Sequence, residues 1–364
     1  MKNLKRFQLE QKNYDFKYVS LFSGMGGFEK ALDALGGECI LSCEIDKHAR
    51  NTYSALFPTH KIVEDVKKIN EKELPDHDVL VGGFPCQAFS QAGKQLAFED
   101  DRGQLYLEIV RIAKEKQPKL LLLENVKGIL GVQKGKVLEV ILKAFRGAGY
   151  TMFFKTLDSK NFSLAQQRQR VIFMGVRNDL VEQEYDELFE ELYTFEEFEK
   201  ITLLDVLEKD VDEKHFVAKE EIKDYREGTS KLKRDLIFVG GYGNLWVDSP
   251  NGVYSSKNFR QGNRIYDARG LATTLTAQMS SGLGKKTTMY LVPDEWSKNG
   301  MNIRGLTVEE CFRLQGFDPK DVEKARDNGV SDAQLYKQTG NAVSTHVIYA
   351  AMHNLCKKFL KERE

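Results

Sequence analysis

No apolar stretch of the chain is long enough to span a membrane, and the opening segment, Met1 to Lys17, is too polar for a signal peptide. A cytoplasmic protein without membrane attachment is expected. Cysteine is scarce: Cys39, Cys43, Cys86, Cys311 and Cys356 are odd in number and lack paired metal-ligand spacing. That argues against a disulfide framework and a structural zinc, and suits a reducing compartment with no bound metal. Net charge is absent too, since 54 Lys and Arg meet 54 Asp and Glu. The neutrality is local in origin. Val181 to Lys200 holds nine acidic residues and one Lys, so the remainder carries 53 basic (54 less one) against 45 acidic (54 less nine) residues. Such a surplus permits nucleic-acid binding without arguing for it. There is no internal repeat and no low-complexity tract.

What is present suits a globular protein with a sizeable core. The 364 residues are 41% hydrophobic and 30% charged, enough for one large domain and a smaller one. From Tyr18 to Arg177 strand and helix patterns alternate. Strands are predicted at Tyr18–Phe22, Cys39–Glu44, His77–Val81, Lys119–Leu123, Thr151–Leu157 and Arg170–Val176. Helices are predicted at Glu29–Leu35, Lys47–Phe57, Gln104–Lys116 and Lys136–Ala148. Alternation of this kind implies an α/β fold with an open, largely parallel sheet and helices on both faces. The acidic stretch Val181–Lys200 reads as helical and marks a boundary. Residues 228 to 286 are rich in Gly, Ser, Thr and Asn, with short alternating runs at Leu236–Val239 and Leu271–Leu275, a loop-rich β texture. Helical periodicity returns at Thr307–Leu314, where Thr307 and Glu310 are spaced as a capping box, and a last helix is expected from Ser344 to Leu360.

Chemistry-bearing residues gather at the ends of the predicted strands. The first strand runs into Phe22-Ser23-Gly24-Met25-Gly26-Gly27-Phe28, whose glycines allow a sharp turn and close backbone approach to a ligand. The second ends at Glu44, placed to take two ribose hydroxyls, and Asp65 follows a third segment, placed to accept from an adenine amino group. Together they suit an adenosine-bearing cofactor, with NAD and S-adenosylmethionine both open. Val79–Phe84 ends in Pro85-Cys86, followed by Gln87, Ser90, Gly93 and Lys94. A lone cysteine after a strand is as a rule an inert buried thiol. Here the next strand ends in Glu124-Asn125-Val126, and a thiol beside a carboxylate suits nucleophilic attack assisted by an acid. Gln166, Arg168 and Arg170 precede Val171–Met174; two-residue spacing on a strand would turn all three toward one site, where guanidiniums suit a planar carbonyl or phosphate.

These residues resemble the motifs of the cytosine-C5 DNA methyltransferases of bacterial restriction–modification systems, nearly end to end. Phe22–Phe28 resembles the first motif, Gly83–Ser90 the nucleophile motif, Glu124–Val126 the acid motif and Gln166–Arg170 the arginine motif. Arg269–Ala277 resembles the ninth motif and Gly340–Ser344 the tenth. Six in the family's order make a specific match. The departures are Ala165, where many relatives have proline, and Ile45, where some have tryptophan.

The resemblance implies a Rossmann-like methyltransferase large domain at 1–185, a smaller loop-rich β target-recognition domain at 186–310, and a hinge and C-terminal return to the large domain at 311–364. It implies methyl transfer from S-adenosylmethionine to C5 of a flipped-out cytosine in a short duplex DNA sequence. Cys86 would attack C6, Glu124 would serve N3, and Arg170, supported by Arg168, would hold O2. The cofactor would meet Phe22, Gly24, Met25, Gly26, Glu44, Ile45, Asp65, Val66, Gly83, Pro85, Leu105, Asn341 and Ala342. DNA would meet Gln87, Ser90, Arg102, Gln261, Arg264 and Thr274, with Gly240–Asn244, Arg260 and Gln278–Gly284 as further base-reading candidates. Lys231, Lys233 and Arg234 would serve as phosphate contacts or surface. The loop Gln87–Arg102 would close over DNA. A monomer is implied, with any cognate endonuclease acting separately. The rivals are a tRNA-methylating branch, which carries a Cys-Phe-Thr signature that the stretch between Cys86 and Cys311 lacks, a DNA-binding regulator without activity, and an NAD dehydrogenase.

Overall fold

The fold, obtained as a computed structural model, is described for residues 4–85, 105–217, 222–223, 235–242, 261–277 and 288–363. Its chain divides into two compact units. One comprises Phe7–Asp158, Gln169–Glu197 and Val343–Glu364; the other comprises Ser159–Arg168 and Phe198–Ala342, with the segment ending at Arg6.

The first unit is built on β1 (Phe16–Leu21), β2 (Gly37–Cys43), β3 (Ile62–Val63), β4 (Val79–Gly82), β5 (Leu120–Val126), β6 (Tyr150–Asp158) and β7 (Gln169–Arg177). Their order in the sheet is β3-β2-β1-β4-β5-β7-β6. Strands β1 to β5 pair in parallel, and β7 runs antiparallel to both β5 and β6. The expected parallel sheet is therefore present, with an antiparallel edge.

Residue alternation explains how both faces are covered. Val19, Leu21, Leu80, Leu121, Leu123, Val171 and Phe173 belong to one core, packed with Ile109 and Ile112 of helix α3 (Tyr106–Lys116) and Val137, Ile141 and Phe145 of α4 (Lys136–Gly147). The residues between them, such as Tyr18, Ser20, Val79, Val81, Leu120, Leu122, Ile172 and Met174, are equally buried. Helix α1 (Gly27–Ala34) packs against the long C-terminal helix α9 (Thr345–Phe359), and a side chain at Gly27 would lie 2.6 Å from Val343. The C-terminal helix thus returns to the unit that contains β1. Helix α2 (Lys47–Leu56) starts where Asp46 accepts from the amides of His48 and Ala49, a cap that contributes about 1 kcal/mol. The acidic stretch forms a shorter helix than expected, α5 (Tyr185–Leu192). It ends where Tyr193 is buried and its hydroxyl donates to the carbonyl of Ile172.

In the second unit, β8 (Ile222–Lys223), β9 (Phe238–Tyr242), β10 (Arg264–Asp267), β11 (Met289–Leu291) and β12 (Ile303–Arg304) form a sheet in the order β12-β11-β10-β9-β8. A small core of Val217, Ile237, Val239, Ile265, Met289 and Ile303 supports it. Helices α6 (Val308–Gln315), α7 (Lys320–Asp327) and α8 (Asp332–Asn341) follow; the last two carry no expectation from sequence. The capping box is present, with Thr307 N–H donating to Glu310 and Glu310 N–H to the Thr307 hydroxyl. Glu310 also receives the guanidinium of Arg304 at 2.7 and 2.9 Å, both residues essentially inaccessible to solvent. Among the described residues, no helix is long and apolar enough to cross a membrane.

Candidate active site

In a parallel sheet all carboxyl ends share one edge, which is where an open α/β fold receives ligands. The turn after β1 is the most strained part of that edge. Phe22 takes a left-handed backbone (φ 57°), as do Gly24 (φ 58°) and Gly26 (φ 95°). A positive φ at a bulky residue is costly and persists where surrounding structure enforces it. Here Ser23 does so: its amide donates to the Cys43 carbonyl at 3.0 Å, and its buried hydroxyl reaches Ser20 and Cys43. A side chain at Gly26 would collide with the ring of Phe57, whereas one at Gly24 would meet nothing within 4 Å. Gly24 therefore lines open space. Met25 is buried.

Glu44, one residue past β2, is held from two sides. Its Oε2 accepts from Gly24 N–H and its Oε1 from Asp46 N–H, both at 2.8 Å. Burial pushes its carboxyl up from the ordinary value, opposed by those backbone donors. Ile45 beside it is 69% exposed, unusual for so large an apolar side chain. Asp65 caps the turn Val66–Lys68 through the amide of Lys67, and Val66 is buried beneath it. Leu105, half-buried at the start of α3, packs on the sheet core. A carboxylate fixed for ribose hydroxyls, an open glycine and an exposed apolar platform fit an adenosine cofactor.

The acid and arginine motifs meet on adjacent strands. In the antiparallel β5–β7 register, Glu124 faces Ile172 and Val126 faces Arg170, so Glu124 and Arg170 are diagonal neighbours. Arg170 Nε donates to Glu124 Oε1 at 2.9 Å, with only 15% and 12% of the two side chains exposed. Glu124 is also close to the end of β4, since a side chain at Gly83 would approach its Oε2 to 3.8 Å. Asn125 donates to the Phe84 carbonyl at 3.0 Å and so fixes the backbone entering Pro85. Cys86 itself lies outside the described residues, as do Gln87, Ser90, Arg102 and the loop between them.

Arg168 departs from the expectation that it supports Arg170. Strand β7 begins at Gln169, so the two-residue alternation does not extend back through Gln166 and Arg168. Arg168 is 1% exposed, and its guanidinium donates to the carbonyls of Leu275 (3.0 Å), Gly340 (3.2 Å) and Ala342 (2.6 Å). Gln166 joins it by accepting from Leu275 N–H and donating to the Leu314 carbonyl. The ninth-motif segment runs alongside Ala165–Gln167, with Ala272 bonded at both ends and the Thr274 hydroxyl donating to the Gln167 carbonyl at 2.7 Å. A side chain at Gly340 would strike the backbone of Thr276. Arg168, Thr274 and the Ala342 carbonyl thus tie three motifs together within the second unit; Thr274, expected at DNA, has its hydroxyl turned to backbone. Asn341 is exposed at the end of α8, and Arg264 is half-buried on β10. The Gln261 side chain, Lys231, Lys233, Arg234, Arg260, residues 243–244 and Gln278–Gly284 lie outside the described residues. The motifs leave unmarked Arg50, whose Nη1 donates to the carbonyls of Glu44 and Ile45, and the buried Glu29, which accepts from the Ser42 hydroxyl.

A family model for C-5 cytosine-specific DNA methylase matches residues 16–357. The Type II methyltransferase M.HhaI of Haemophilus parahaemolyticus is 36% identical over 93% of this chain and 94% of its own. The orphan methyltransferase M.Rho11sI of Bacillus phage rho11s is 30% identical over 95% of this chain and 99% of its own. Among solved structures, a DNA modification methyltransferase encoded within an E. coli prophage superposes with a TM-score of 0.64 at 23% identity, covering 94% of this chain and 99% of that one. S. pombe Dnmt2 gives 0.65 at 17% identity, again covering 94% and 99%; at these identities the likeness concerns the fold alone. With a family model spanning almost its whole length and relatives that align end to end, the chain belongs to the C-5 cytosine-specific DNA methylase family.

Proposed function

We propose that this enzyme methylates C5 of a cytosine flipped out of a short, specific duplex DNA sequence, with S-adenosylmethionine as donor and a covalent Cys86–C6 adduct on the way. The Glu124–Arg170 pair beside Gly83 is the observation that carries this reading. When bound, the cofactor supplies an electrophilic methyl group; Phe22, Gly24, Gly26, Glu44, Ile45, Asp65, Val66, Gly83, Pro85 and Leu105 would hold it, with Met25 contributing backbone. Asn341 and Ala342 are carried into that set by the resemblance alone.

The residues then divide the work. Cytosine C5 is too weak a nucleophile until a thiolate adds at C6 and makes it enamine-like. Cys86 provides that electron pair, and Glu124 holds a proton at N3, so the charge arriving in the ring is neutralised. Arg170 keeps the carboxyl of Glu124 in place and has donors to offer a cytosine O2. After C5 gains its methyl group, loss of the C5 proton to a base returns the electrons that expel Cys86 Sγ, and the thiolate is regenerated. Extruding the base costs about a few kcal/mol.

The second unit would read the target, with Arg264 and Gln261 among the candidates and Gln87, Ser90 and Arg102 contributing from the nucleophile loop. The relatives include both Type II and orphan enzymes. We take the modification role, acting as a monomer in the cytoplasm with any cognate endonuclease separate, as the working assignment. Bisulfite sequencing of unmethylated plasmid after incubation with the protein and S-adenosylmethionine tests the activity, the target base and the sequence specificity. Protected cytosines within one short recurring sequence are expected. Absence of protection, with cofactor binding intact, would turn the assignment toward RNA or toward a silent DNA-binding relative.

A further inference from the structure

The motifs account for Glu44 and Asp65 but not for what holds the backbone that carries them. Arg50 does. It sits one turn into α2, with its amide bonded to the Asp46 carbonyl at 2.9 Å. Side chains on a helix lean toward its N-terminus, and the Arg50 guanidinium accordingly folds back over the β2–α2 turn. Its Nη1 donates to the carbonyls of both Glu44 and Ile45, each at 2.8 Å. Its Nη2 lies 3.5 Å from Glu64, the residue before Asp65 at the end of β3.

We propose that Arg50 is a positioning residue for the adenosine half of the cofactor, a staple between the strand end that bears the ribose carboxylate and the one that bears the adenine acceptor. The inference rests on the cofactor reading above. Two adjacent carbonyls held by one guanidinium nitrogen fix the peptide planes on either side of Ile45. Those planes decide where the Glu44 carboxylate stands and that the Ile45 side chain faces outward. The Asp46 amide that completes the Glu44 clamp is set by the same turn. The two arms are unequal. Arg50 is only 19% exposed, so its carbonyl bonds are shielded from water, while Glu64 is 64% exposed and its ion pair is weak. Arg50 touches no reacting atom, so its effect should appear in cofactor affinity.

Titration of the full-length protein with S-adenosylmethionine and with S-adenosylhomocysteine, together with steady-state kinetics, provides the test. Arg50→Met keeps the aliphatic stem and removes every donor. It should weaken both ligands about tenfold, the equivalent of losing a shielded, charge-assisted bond. KM for the donor should rise in parallel, kcat at saturating donor should fall less than threefold, and KM for DNA should hold within twofold. Arg50→Lys, able to reach the same carbonyls through one ammonium, should recover most of the loss, and Glu64→Gln should change affinity less than twofold. Unchanged affinity in Arg50→Met, or a loss confined to kcat and thermal stability, would overturn the proposal. Should Arg50→Met fail to fold, Arg50→Gln, too short to reach both carbonyls, decides: at least threefold weaker binding of both ligands supports the staple, and wild-type affinity refutes it. A wild-type protein that binds neither ligand would instead remove the cofactor reading itself.

Discussion

At the carboxyl edge of the seven-stranded sheet, polar side chains keep an accessible face: Arg170 meets Glu124, and Glu44, clamped by two backbone amides, lies beside the open position at Gly24. In the second unit the comparable side chains meet backbone carbonyls. Arg168 and Gln166 are almost wholly buried and bond to Leu275, Gly340, Ala342 and Leu314. The cores differ to match. The large sheet is covered on both faces by a broad apolar core, whereas the described part of the five-stranded sheet rests on a smaller cluster of Val217, Ile237, Val239, Ile265, Met289 and Ile303. Among the second unit's described residues, charge-assisted bonds from Arg168 to three carbonyls join segments far apart in sequence. The same motif therefore turns one arginine to the Glu124 carboxylate, where the proposed chemistry lies, and the other, two residues away, to backbone carbonyls.

The largest expected effect sharpens the chemical half of the contrast. Cys86→Ala should lower methyl transfer by about 10³-fold or more, since removing a nucleophile removes the covalent route. S-adenosylmethionine affinity by calorimetry should stay within a few-fold, because the Cys86 thiol is not among the groups proposed to hold the cofactor. Turnover retained in this variant would sink the covalent mechanism.

The two arginines supply the next test, and it could break the comparison outright. Arg168→Met strips donors from three buried carbonyls; thermal or urea unfolding should show a loss of about 3–5 kcal/mol, at about 1–3 kcal/mol for each acceptor left unsatisfied. Arg170→Met leaves the mostly buried Glu124 carboxyl without its cation, and because that carboxyl can take up a proton the loss of stability should stay at about 1–3 kcal/mol. Its kcat should nevertheless fall by about 10²-fold. An Arg168 variant with normal unfolding but impaired kcat would return that residue to the catalytic group.

Much of this was legible beforehand, for reasons tied to particular residues. Five of the six strands expected in the first unit end within two residues of their expected limits and β5 runs three residues further, because runs such as Val79–Val81 and Leu120–Leu123 are continuously apolar, as strands buried on both faces must be. The Thr307–Glu310 box was legible because capping chemistry is local. Direction was not: hydrophobic pattern does not state whether β7 runs with or against β5. One signal was available, as no helical pattern separates Thr151–Leu157 from Arg170–Val176, and parallel neighbours need such a crossover. Helices α7 and α8 escaped because each buries few apolar side chains, Val322 and Ala325 in one, Leu335 and Tyr336 in the other. At the site, Arg168 misled because its orientation depends on the residue at which β7 begins. Arg50 left no trace because a helical arginine reads as surface unless the turn before the helix is known.

A pH series probes a buried polar cluster on the other side of the glycine turn. Glu29 on α1 is fully buried and accepts from Ser42, which bonds Tyr53; Tyr53 meets His60, His60 meets Asp33, and Asp33 accepts from Tyr18, with Cys39 alongside. Burial pushes the carboxyl of Glu29 up and that of Asp33 from 3.8 to about 7. A carboxyl raised in the folded state favours folding below its unfolded pKa, and that advantage is lost as pH rises through the folded value. Glu29→Gln, which mimics the protonated form, should match the wild type near pH 4 and melt a few degrees higher near pH 8. A gap constant across that range would show that Glu29 ionises as readily folded as unfolded.

The smallest effect concerns Ile45, and it asks how far the open edge is built for its ligand. The side chain is 69% exposed yet sits between Glu44 and the Asp46 cap, on a turn that Arg50 holds by two carbonyl bonds. An isoleucine there offers an adenine ring only the area it covers, whereas tryptophan offers a π-face and more of it. Because the backbone is already fixed, the larger ring needs no rearrangement to stand outward. Ile45→Trp should therefore tighten S-adenosylhomocysteine binding by about three- to tenfold, the range for one aromatic contact of about 0.5–1.5 kcal/mol. In an Arg50→Met background the gain should shrink, because the platform would no longer be held in one orientation. Equal gains in both backgrounds would mean that stacking and stapling act independently.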